Sequence, residues 1–366
     1  MKNLTEMDKV ENYTPGLSIE EIQKRYSLDK VYKLASNENP LPPPEELVNI
    51  LQSKIHTIHR YPAYMRPVVK AVSAYYQVET QHTLLGNGSS EFIDKLMQAY
   101  GSPRVSVLVS EKSFPLYTIC AQSHRLNIYR ASMKEGLKVH IQKMLSLLDR
   151  HKDIRLVFIS NPNNPTGSYI THSELETLLF ETKGKSVQIV LDEAYWGYVR
   201  AKDFPDSVSL MQKYPHLILL RSMSKVMGLA GLRAGVMLAH PTVVETVKKV
   251  LCPFNVNIIS VEAILYCVSN RSFQEYLFHS KELVWNSLDY FYSELQKMNL
   301  PFYPSQGNFL LFSIGKPSAF SYLLKRGLIL RSLNEPGLEH YLRMSVGLEQ
   351  ENKKAIELIR EFITQT

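Results

Sequence analysis

The stretch LRSMSKVMGLAGLRAG, residues 220–235, is the part of the sequence that decides which fold to expect. It sets Lys225 between a serine pair, Ser222 and Ser224, and a run of glycines. Arg233 follows eight residues after the lysine. A lysine on a solvated surface needs neither nearby hydroxyls nor small neighbours. The pattern therefore predicts a lysine with a chemical role, set in a defined position.

On either side of this stretch, helical patterns alternate with short apolar runs. PVVKAVSAYYQV, residues 67–78, and EFIDKLMQAY, residues 91–100, have the period of amphipathic helices. The runs between such helices are apolar throughout, which is typical of strands buried on both faces. They predict an α/β fold with a mostly parallel central sheet covered by helices. The runs are VSVLVS (105–110), IRLVFIS (154–160), VQIVLDE (187–193) and HLILLRS (216–222).

A change of pattern near residue 240 predicts a second, smaller α+β domain. Longer helical patterns appear there, at 270–298 and 349–363, with strands expected at NFLLFSI, GLILRS and YLRMSV. Near the start, the prolines of KLASNENPLPPPEE exclude a regular helix or a central strand and indicate a connector. We expect an N-terminal arm with part of the small domain (1–45), a large domain (46–245) and a small C-terminal domain (246–366).

Composition and charge exclude several classes of protein. The chain has 366 residues, 45% of them hydrophobic and 21% charged, which is typical of a globular protein with sizeable cores. Its net charge is +7, but the basic residues are interspersed with acidic ones and form no long block. A small anionic substrate explains this charge as well as nucleic acid does, and nucleic-acid binding is not expected. No run of about 18 apolar residues and no signal-peptide core occurs, which predicts a cytoplasmic location without membrane contact. The three widely spaced cysteines, predicted to be buried free thiols, do not suggest a metal site: Cys120, Cys252 and Cys267.

Polar side chains are expected where the predicted strands end. Asp192 ends one strand in VLDEAY, with Tyr195 three residues later, and Asn164 follows another strand in NPNNPTG. GNGSS, residues 86–90, precedes a helix and has the composition of a phosphate-binding turn. In open α/β sheets, ligands bind beyond the carboxyl ends of the strands, so these residues are candidates for one site.

Taken in order, these motifs resemble the fold-type I pyridoxal-phosphate enzymes of the aspartate aminotransferase superfamily over nearly the whole chain. Within it, the sequence is most similar to the histidinol-phosphate aminotransferases. The motifs that carry this resemblance are YTPG (13–16), LASNENP (34–40), RYP (60–62), GNGSSE (86–91), PNNPTG (162–167), VLDEAY (190–195), SKVMGLAGLRAG (224–235), PFNVN (253–257), GNFLLF (307–312), LILRSL (328–333) and LRMSVG (342–347).

The resemblance implies that Lys225 forms the covalent link to pyridoxal phosphate and acts as the general base. Such a lysine must attack an aldehyde and move protons, so it needs a lowered pKa. Asp192 would keep the pyridine nitrogen protonated, while Tyr195 and Asn164 would bind the phenolic oxygen of the ring. Phe114 would stack on the ring. The residues implied for the cofactor phosphate are Gly88, Ser89, Ser90, Ser222, Ser224 and Arg233.

For the substrate, the resemblance implies that Arg343 binds the substrate α-carboxylate and that Arg331 and Tyr13 lie near the substrate phosphate. Asn37 is also an expected substrate residue. Tyr61 would reach the cofactor phosphate of a partner subunit, which implies a homodimer. The implied reaction is transamination of L-histidinol phosphate with 2-oxoglutarate to imidazole-acetol phosphate and glutamate, a step of histidine biosynthesis.

Several departures from the family pattern bear on the substrate, including YPAY in place of an acidic residue after RYP and NENPLPP without the aromatic and glycine that commonly follow NENP. Ser90 replaces a common aspartate, and Met223 replaces an aromatic residue beside the lysine motif. They leave open an aromatic amino acid aminotransferase or an enzyme similar to threonine-phosphate decarboxylase. A non-enzymatic alternative is a pyridoxal-phosphate-binding regulatory module, but the arm before the first motifs is too short for a helix-turn-helix segment.

Overall fold

The computed structural model describes residues 10, 12, 16–62, 65–333 and 336–365. The helices are α1 (Ile19–Tyr26), α2 (Glu45–Lys54), α3 (Met65–Tyr75), α4 (Ser89–Tyr100), α5 (Leu116–Ser123), α6 (Ile141–Arg150), α7 (His172–Thr182), α8 (Ser207–Lys213), α9 (Pro241–Lys248), α10 (Ile258–Ser269), α11 (Phe273–Lys297), α12 (Ser318–Lys325) and α13 (Glu349–Gln365). The strands are β1 (Tyr32–Lys33), β2 (Thr83–Asn87), β3 (Ser106–Ser110), β4 (Asn127–Ala131), β5 (Ile154–Ser160), β6 (Gln188–Asp192), β7 (Leu217–Ser222), β8 (Ala234–Leu238), β9 (Phe302–Tyr303), β10 (Phe309–Ser313), β11 (Leu328–Ile329), β12 (Arg331–Ser332) and β13 (Tyr341–Ser345).

A seven-stranded sheet forms the centre of the molecule, in the order β2-β8-β7-β6-β5-β3-β4. The pairs between β4, β3, β5, β6 and β7 are parallel, whereas β8 runs antiparallel to both of its neighbours. In register, Ser160 pairs with Asp192 and Asp192 with Leu220. The carboxyl ends of β5, β6 and β7 therefore meet at one edge of the sheet. The predicted fold class, a mostly parallel sheet in an α/β protein, is confirmed.

Both faces of this sheet are covered by apolar side chains. Along β5, Leu156 and Phe158 pack into one apolar cluster, and Val157 and Ile159 pack into the cluster on the opposite face. This alternation follows from the twofold period of a strand. It explains why the central strands are mainly apolar rather than alternating regularly between apolar and polar residues.

A second sheet of four antiparallel strands, β12-β13-β10-β9, lies in the C-terminal part of the chain. Arg331 on β12 is the direct cross-strand partner of Arg343 on β13. The GLILRS run, predicted as one strand, forms two: β11 pairs with β1 in a separate parallel ribbon, and β12 joins the antiparallel sheet. The single-strand prediction was wrong because the chain changes sheets at Leu330.

The other differences from the sequence-based expectations are local. The strands β2, β4 and β8 were not predicted: β4 is partly exposed at the sheet edge, and β2 and β8 adjoin glycines that resemble turn signals. All three cysteines are free, as expected, but Cys252 is exposed because it lies in the surface segment between α9 and α10. The prediction that it is buried was therefore wrong.

The predicted large domain (46–245) and the predicted small domain (246–366) pack against each other. α10, beyond residue 245, packs against α2 and α3. One apolar cluster includes Val236 from the central sheet and Ile264 from α10. The predicted domain boundaries remain predictions. Among the described residues, no helix combines the length and apolarity needed to cross a membrane.

Candidate active site

Lys225 lies just beyond the carboxyl end of β7, in the loop that the glycine-rich stretch forms. Its Nζ donates a hydrogen bond to the carbonyl oxygen of Ser36 at 3.2 Å and lies 5.7 Å from the centre of the Tyr195 ring. Burial lowers the pKa of Lys225 to about 8, and the positive charges of Arg343 and Arg233 add to this effect. At pH 7, about a tenth of the amine is therefore neutral and nucleophilic, far more than for an ordinary lysine.

Asp192, the last residue of β6, presents a buried carboxylate at the same edge of the sheet. The Tyr117 hydroxyl donates to its Oδ2 at 2.8 Å, and the Ala194 amide donates to its Oδ1 at 3.2 Å. Burial raises the pKa of Asp192 to about 6, while these two hydrogen bonds and the charge of Lys225 act in the opposite direction. A carboxylate in this setting gains strongly from a cationic partner.

Tyr195 is the centre of a buried polar network. Its hydroxyl accepts hydrogen bonds from the Nδ2 atoms of Asn37, at 3.0 Å, and Asn164, at 3.3 Å. The Oδ1 of Asn164 accepts from Arg343 at 2.7 Å, and Arg343 also donates to the Ala35 carbonyl at 2.6 Å. The segments that follow β5 and β6, the strand β13 and the N-terminal connector are thus joined within one site.

A cradle for an anion forms where α4 begins. Gly88 precedes the helix with φ of 79°, and the first residues of α4 are Ser89 and Ser90. Arg233 donates to the hydroxyls of Ser90 and Ser224, each at 3.3 Å. The Ser222 hydroxyl accepts from the backbone amide of Ser224 at 3.2 Å. A helix N-terminus, hydroxyls and a guanidinium together are the donor set that binds phosphate groups.

Two of the other predicted residues lie close to these groups. The half-buried Phe114 packs edge-on against Tyr117, with ring centres 5.7 Å apart. Arg331 lies opposite Arg343, and directly paired residues of antiparallel strands present their side chains on one face. Asn37 contacts Tyr195 and Ser345 and is 1% exposed, so it is an internal member of the network.

The remaining two predicted residues are not in this cluster. Tyr61 is 74% exposed, and its ring stacks on Phe254 with centres 4.3 Å apart. Tyr13 lies outside the described residues.

Sequence reasoning missed several residues that support the site. Tyr117 was not singled out, because a tyrosine within a helical pattern is usually a core residue. Glu193 and Arg221 form a buried ion pair at 2.8 Å, beside Asp192 and Ser222 in the chain, and the guanidinium lies 4.3 Å from the Trp196 ring. A buried strand interrupted by an arginine, as in HLILLRS, was the available signal for this pair.

The donor set of the site fits pyridoxal phosphate. The anion cradle suits its phosphate, the buried Asp192 carboxylate suits its pyridinium, and the amine of Lys225 suits its aldehyde. The cradle also requires close backbone approach: a Cβ placed on Gly235 would lie 2.3 Å from the Ser89 amide nitrogen, and one on Gly88 would lie 2.6 Å from Arg233.

Comparison with known proteins agrees with this chemistry. Residues 29–359 match the model of a family described as aminotransferase class I and II. A histidinol-phosphate aminotransferase of Bdellovibrio bacteriovorus is 39% identical over 372 residues, covering 100% of this chain and 99% of that protein. The chain belongs to the class I and II aminotransferase family.

Solved structures of this fold extend the comparison. The histidinol-phosphate aminotransferase of Sinorhizobium meliloti, solved in complex with pyridoxal-5'-phosphate, matches with a TM-score of 0.88 at 19% identity, over 99% of this chain and 98% of that one. An L-threonine-O-3-phosphate decarboxylase of Porphyromonas gingivalis matches with a TM-score of 0.78 at 19% identity, over 91% of this chain and 100% of that one. The fold by itself does not separate these two activities.

Family membership makes the chain an aminotransferase that uses pyridoxal phosphate as cofactor and an amino donor and an oxo acid as substrates. The predicted family, enzyme class and cofactor are confirmed. The regulatory-module alternative is not favoured, since the relative matched along its full length is an aminotransferase.

Proposed function

We propose that this aminotransferase interconverts L-histidinol phosphate and 2-oxoglutarate with imidazole-acetol phosphate and glutamate, as a step of histidine biosynthesis. The observation that carries the proposal is the direct cross-strand pair of Arg331 and Arg343 beside the buried network. Like charges placed opposite one another are unfavourable, so the pair favours a ligand with strong negative charge. A phosphate ester and a dicarboxylic acid both meet this requirement, and the full-length relative with 39% identity carries the matching name.

In this proposal, each residue of the site has a separate role in amino transfer. When bound, the cofactor supplies an aldehyde for the amino group and a ring that withdraws electrons from the reacting carbon. Lys225 removes the proton from the substrate Cα as general base and later returns a proton, for which its lowered pKa suits it. Asp192 holds the ring nitrogen in its protonated form, and Tyr195 with Asn164 binds the phenolic oxygen. Phe114 packs on the ring.

The anion cradle anchors the cofactor in the same proposal. Arg233 and the hydroxyls of Ser222 and Ser224 bind the phosphate together with the turn at the start of α4, formed by Gly88, Ser89 and Ser90. Ser90 has a hydroxyl rather than a carboxylate, and its contact with Arg233 supports its place in the cradle. Fixing the phosphate leaves the aldehyde end in reach of Lys225, which is how positioning contributes to rate.

Substrate recognition is assigned to the arginine pair. Arg343 would bind the α-carboxylate of glutamate in a bidentate manner, with Asn37 ordering the network beside it. Arg331 and Tyr13 would bind either the phosphate of histidinol phosphate or the distal carboxylate of glutamate. One site can then accept both substrates in turn, because each presents an anionic end to the same arginine.

We also propose that the protein acts as a cytoplasmic homodimer. Four apolar side chains that are more than half exposed support the dimer: Ile55, Ile58, Tyr61 and Phe254. We call them the interface patch. Ile55 and Ile58 lie in the turn just before Tyr61, and exposed apolar groups of this kind mark surfaces that bind proteins. In a two-fold dimer, Tyr61 would reach the cofactor phosphate of the partner subunit.

Substitution of Arg331 tests the substrate assignment. Losing one partner of a buried charged pair costs about 2–5 kcal/mol, so Arg331→Ala should lower kcat/KM for histidinol phosphate by roughly 30-fold or more. The same variant should leave kcat/KM for phenylalanine nearly unchanged. Arg326→Ala is the control, since that guanidinium packs on Tyr322 at 3.6 Å and takes no part in the site. A wild-type protein that prefers phenylalanine, with a ranking that Arg331→Ala does not alter, would reject the proposal.

A further inference from the structure

Tyr117 is a buried residue that contacts Asp192, and the proposed reaction assigns it no role. It lies on α5, and its side chain is fully buried. Its ring stacks on Phe158, with centres 5.2 Å apart and planes inclined by 23°, and packs edge-on against Phe114. These two contacts hold the ring in place and fix the direction of its hydroxyl.

The hydroxyl points at Asp192. It donates to Oδ2 at 2.8 Å, while Oδ1 accepts from the Ala194 amide at 3.2 Å. Among the residues that the structure describes, each carboxylate oxygen thus accepts from one donor, and each oxygen of a carboxylate can accept about two. The remaining acceptor positions are available for a cation at the same carboxylate.

We propose that Tyr117 is a positioning residue that orients the Asp192 carboxylate toward the cofactor ring nitrogen and keeps the proton on that nitrogen. This inference rests on the role proposed above for Asp192. The physical reason is that a hydrogen bond donated to an ionised carboxylate stabilises the charged form. Because Asp192 is buried, water does not replace the phenol as a donor, so the proton shared between the carboxylate and the ring remains on the ring.

The aromatic neighbours make the phenol a rigid donor. Phe114, which packs against Tyr117, is proposed to stack on the cofactor ring. The same pair of aromatic side chains would then position both the cofactor ring and the Asp192 carboxylate. A donor held by packing loses little entropy when the hydrogen bond forms, which is a feature of preorganised sites. A water molecule or a flexible serine would not supply this.

The test uses the full chain loaded with pyridoxal phosphate labelled with ¹⁵N in the ring. In the wild type, the nitrogen resonance should be that of a protonated pyridine at neutral pH. In Tyr117→Phe it should move toward the unprotonated value. Tyr266→Phe is a matched control, because that hydroxyl also donates to a carboxylate, Glu46, at 2.9 Å, but lies between α10 and α2. It should leave the resonance unchanged.

Binding of a cofactor analogue distinguishes an effect of Tyr117 on the Asp192 carboxylate from a general effect of Tyr117 on packing. Deazapyridoxal phosphate has carbon in place of the ring nitrogen and cannot take the proton. Tyr117→Phe should weaken pyridoxal phosphate binding by roughly tenfold, as expected for losing a hydrogen bond to a charged group, and should leave deazapyridoxal phosphate binding unchanged. Equal losses for both cofactors, or no loss for either, would show a purely structural role and overturn the inference.

Two further outcomes are informative. If Tyr117→Phe does not fold, incorporation of a fluorinated tyrosine at this position provides a stronger donor of similar size, which should increase the preference for pyridoxal phosphate over the deaza form. An unchanged preference would contradict the inference. If the wild type does not distinguish the two cofactors at all, the role of Asp192 itself fails; if it does and Tyr117→Phe distinguishes them equally well, only the role of Tyr117 fails.

Discussion

The ionisation of Lys225 links its position to its chemistry. Only the neutral amine attacks an aldehyde, and burial with two nearby guanidinium groups lowers the pKa of this amine to about 8. The rate at which pyridoxal phosphate becomes attached to the cofactor-free protein should therefore rise with pH to a midpoint near pH 8. An ordinary lysine would show a midpoint near 10.4. Borohydride trapping followed by mass spectrometry of the Lys225 peptide measures this rate.

Arg343 provides the control for that titration. Its charge is the largest lowering effect on the pKa of Lys225 after burial, so Arg343→Leu should move the midpoint to higher pH. A midpoint near that of a free lysine in the wild type, or attachment to a different lysine, would refute the account of this residue.

Most of the proposed site was predictable at the residue scale because its members follow strands or occupy recognisable turns. Asp192 and Lys225 fall at strand ends that the apolar pattern locates, and Arg233 follows in the same motif. Tyr117 and the ion pair of Glu193 with Arg221 were not predictable, since their partners lie on other elements. A single sequence does not reveal which distant side chains meet, so contacts that tertiary packing creates were missed.

At the scale of elements, the contact between β8 and the start of α4 forms the anion cradle. Gly235 is expected to be essential because a Cβ there would lie 2.3 Å from the Ser89 amide nitrogen. Gly235→Ala must push the start of α4 away, and such overpacking costs typically about 1–3 kcal/mol. We expect a lower free energy of unfolding and weaker binding of pyridoxal phosphate, measured by denaturant titration and by equilibrium binding.

Gly231→Ala is the matched control for the cradle. It lies in the same glycine-rich stretch, and a Cβ there would meet no atom within 4 Å. Its stability and cofactor affinity should remain close to those of the wild type. If the two alanine variants behave alike, close packing of β8 on α4 does not set the phosphate site.

The elements that the sequence pattern predicted well are long or fully buried, such as α11 and the strands β5, β6 and β7. Those it missed carry weak patterns. The edge strand β4 is half exposed, and β8 begins with AG in a stretch that has the glycine content of a loop. The division of GLILRS between two sheets depends on a change of pairing partner, which local periodicity does not encode.

At the scale of the whole molecule, the interface patch predicts a dimer that completes each site. Phe254→Glu replaces the ring that stacks on Tyr61 with a charged side chain and should convert the protein to a monomer with little activity. Phe180→Glu is the control, because that side chain is also exposed, at 65%, but lies on α7, which is not part of the patch. Sedimentation velocity and turnover of the same samples provide the measurement.

Hybrid dimers test whether Tyr61 acts across the interface. Mixed Lys225→Ala and Tyr61→Phe chains should regain activity beyond the sum of the separate variants, because one site of each hybrid contains both native residues. A fully active wild-type monomer would contradict the proposed assembly.

The most direct test of the central claim is the first half of the reaction, measured without an oxo acid. The wild-type protein loaded with pyridoxal phosphate is mixed in turn with histidinol phosphate, phenylalanine and threonine phosphate, and the absorbance of the aldehyde form is followed to completion. We predict that histidinol phosphate converts the cofactor fastest to its amine form and yields imidazole-acetol phosphate, that 2-oxoglutarate then restores the aldehyde with release of glutamate, and that Lys225→Ala does neither. Faster conversion by phenylalanine, or release of carbon dioxide from threonine phosphate, would contradict the proposed function.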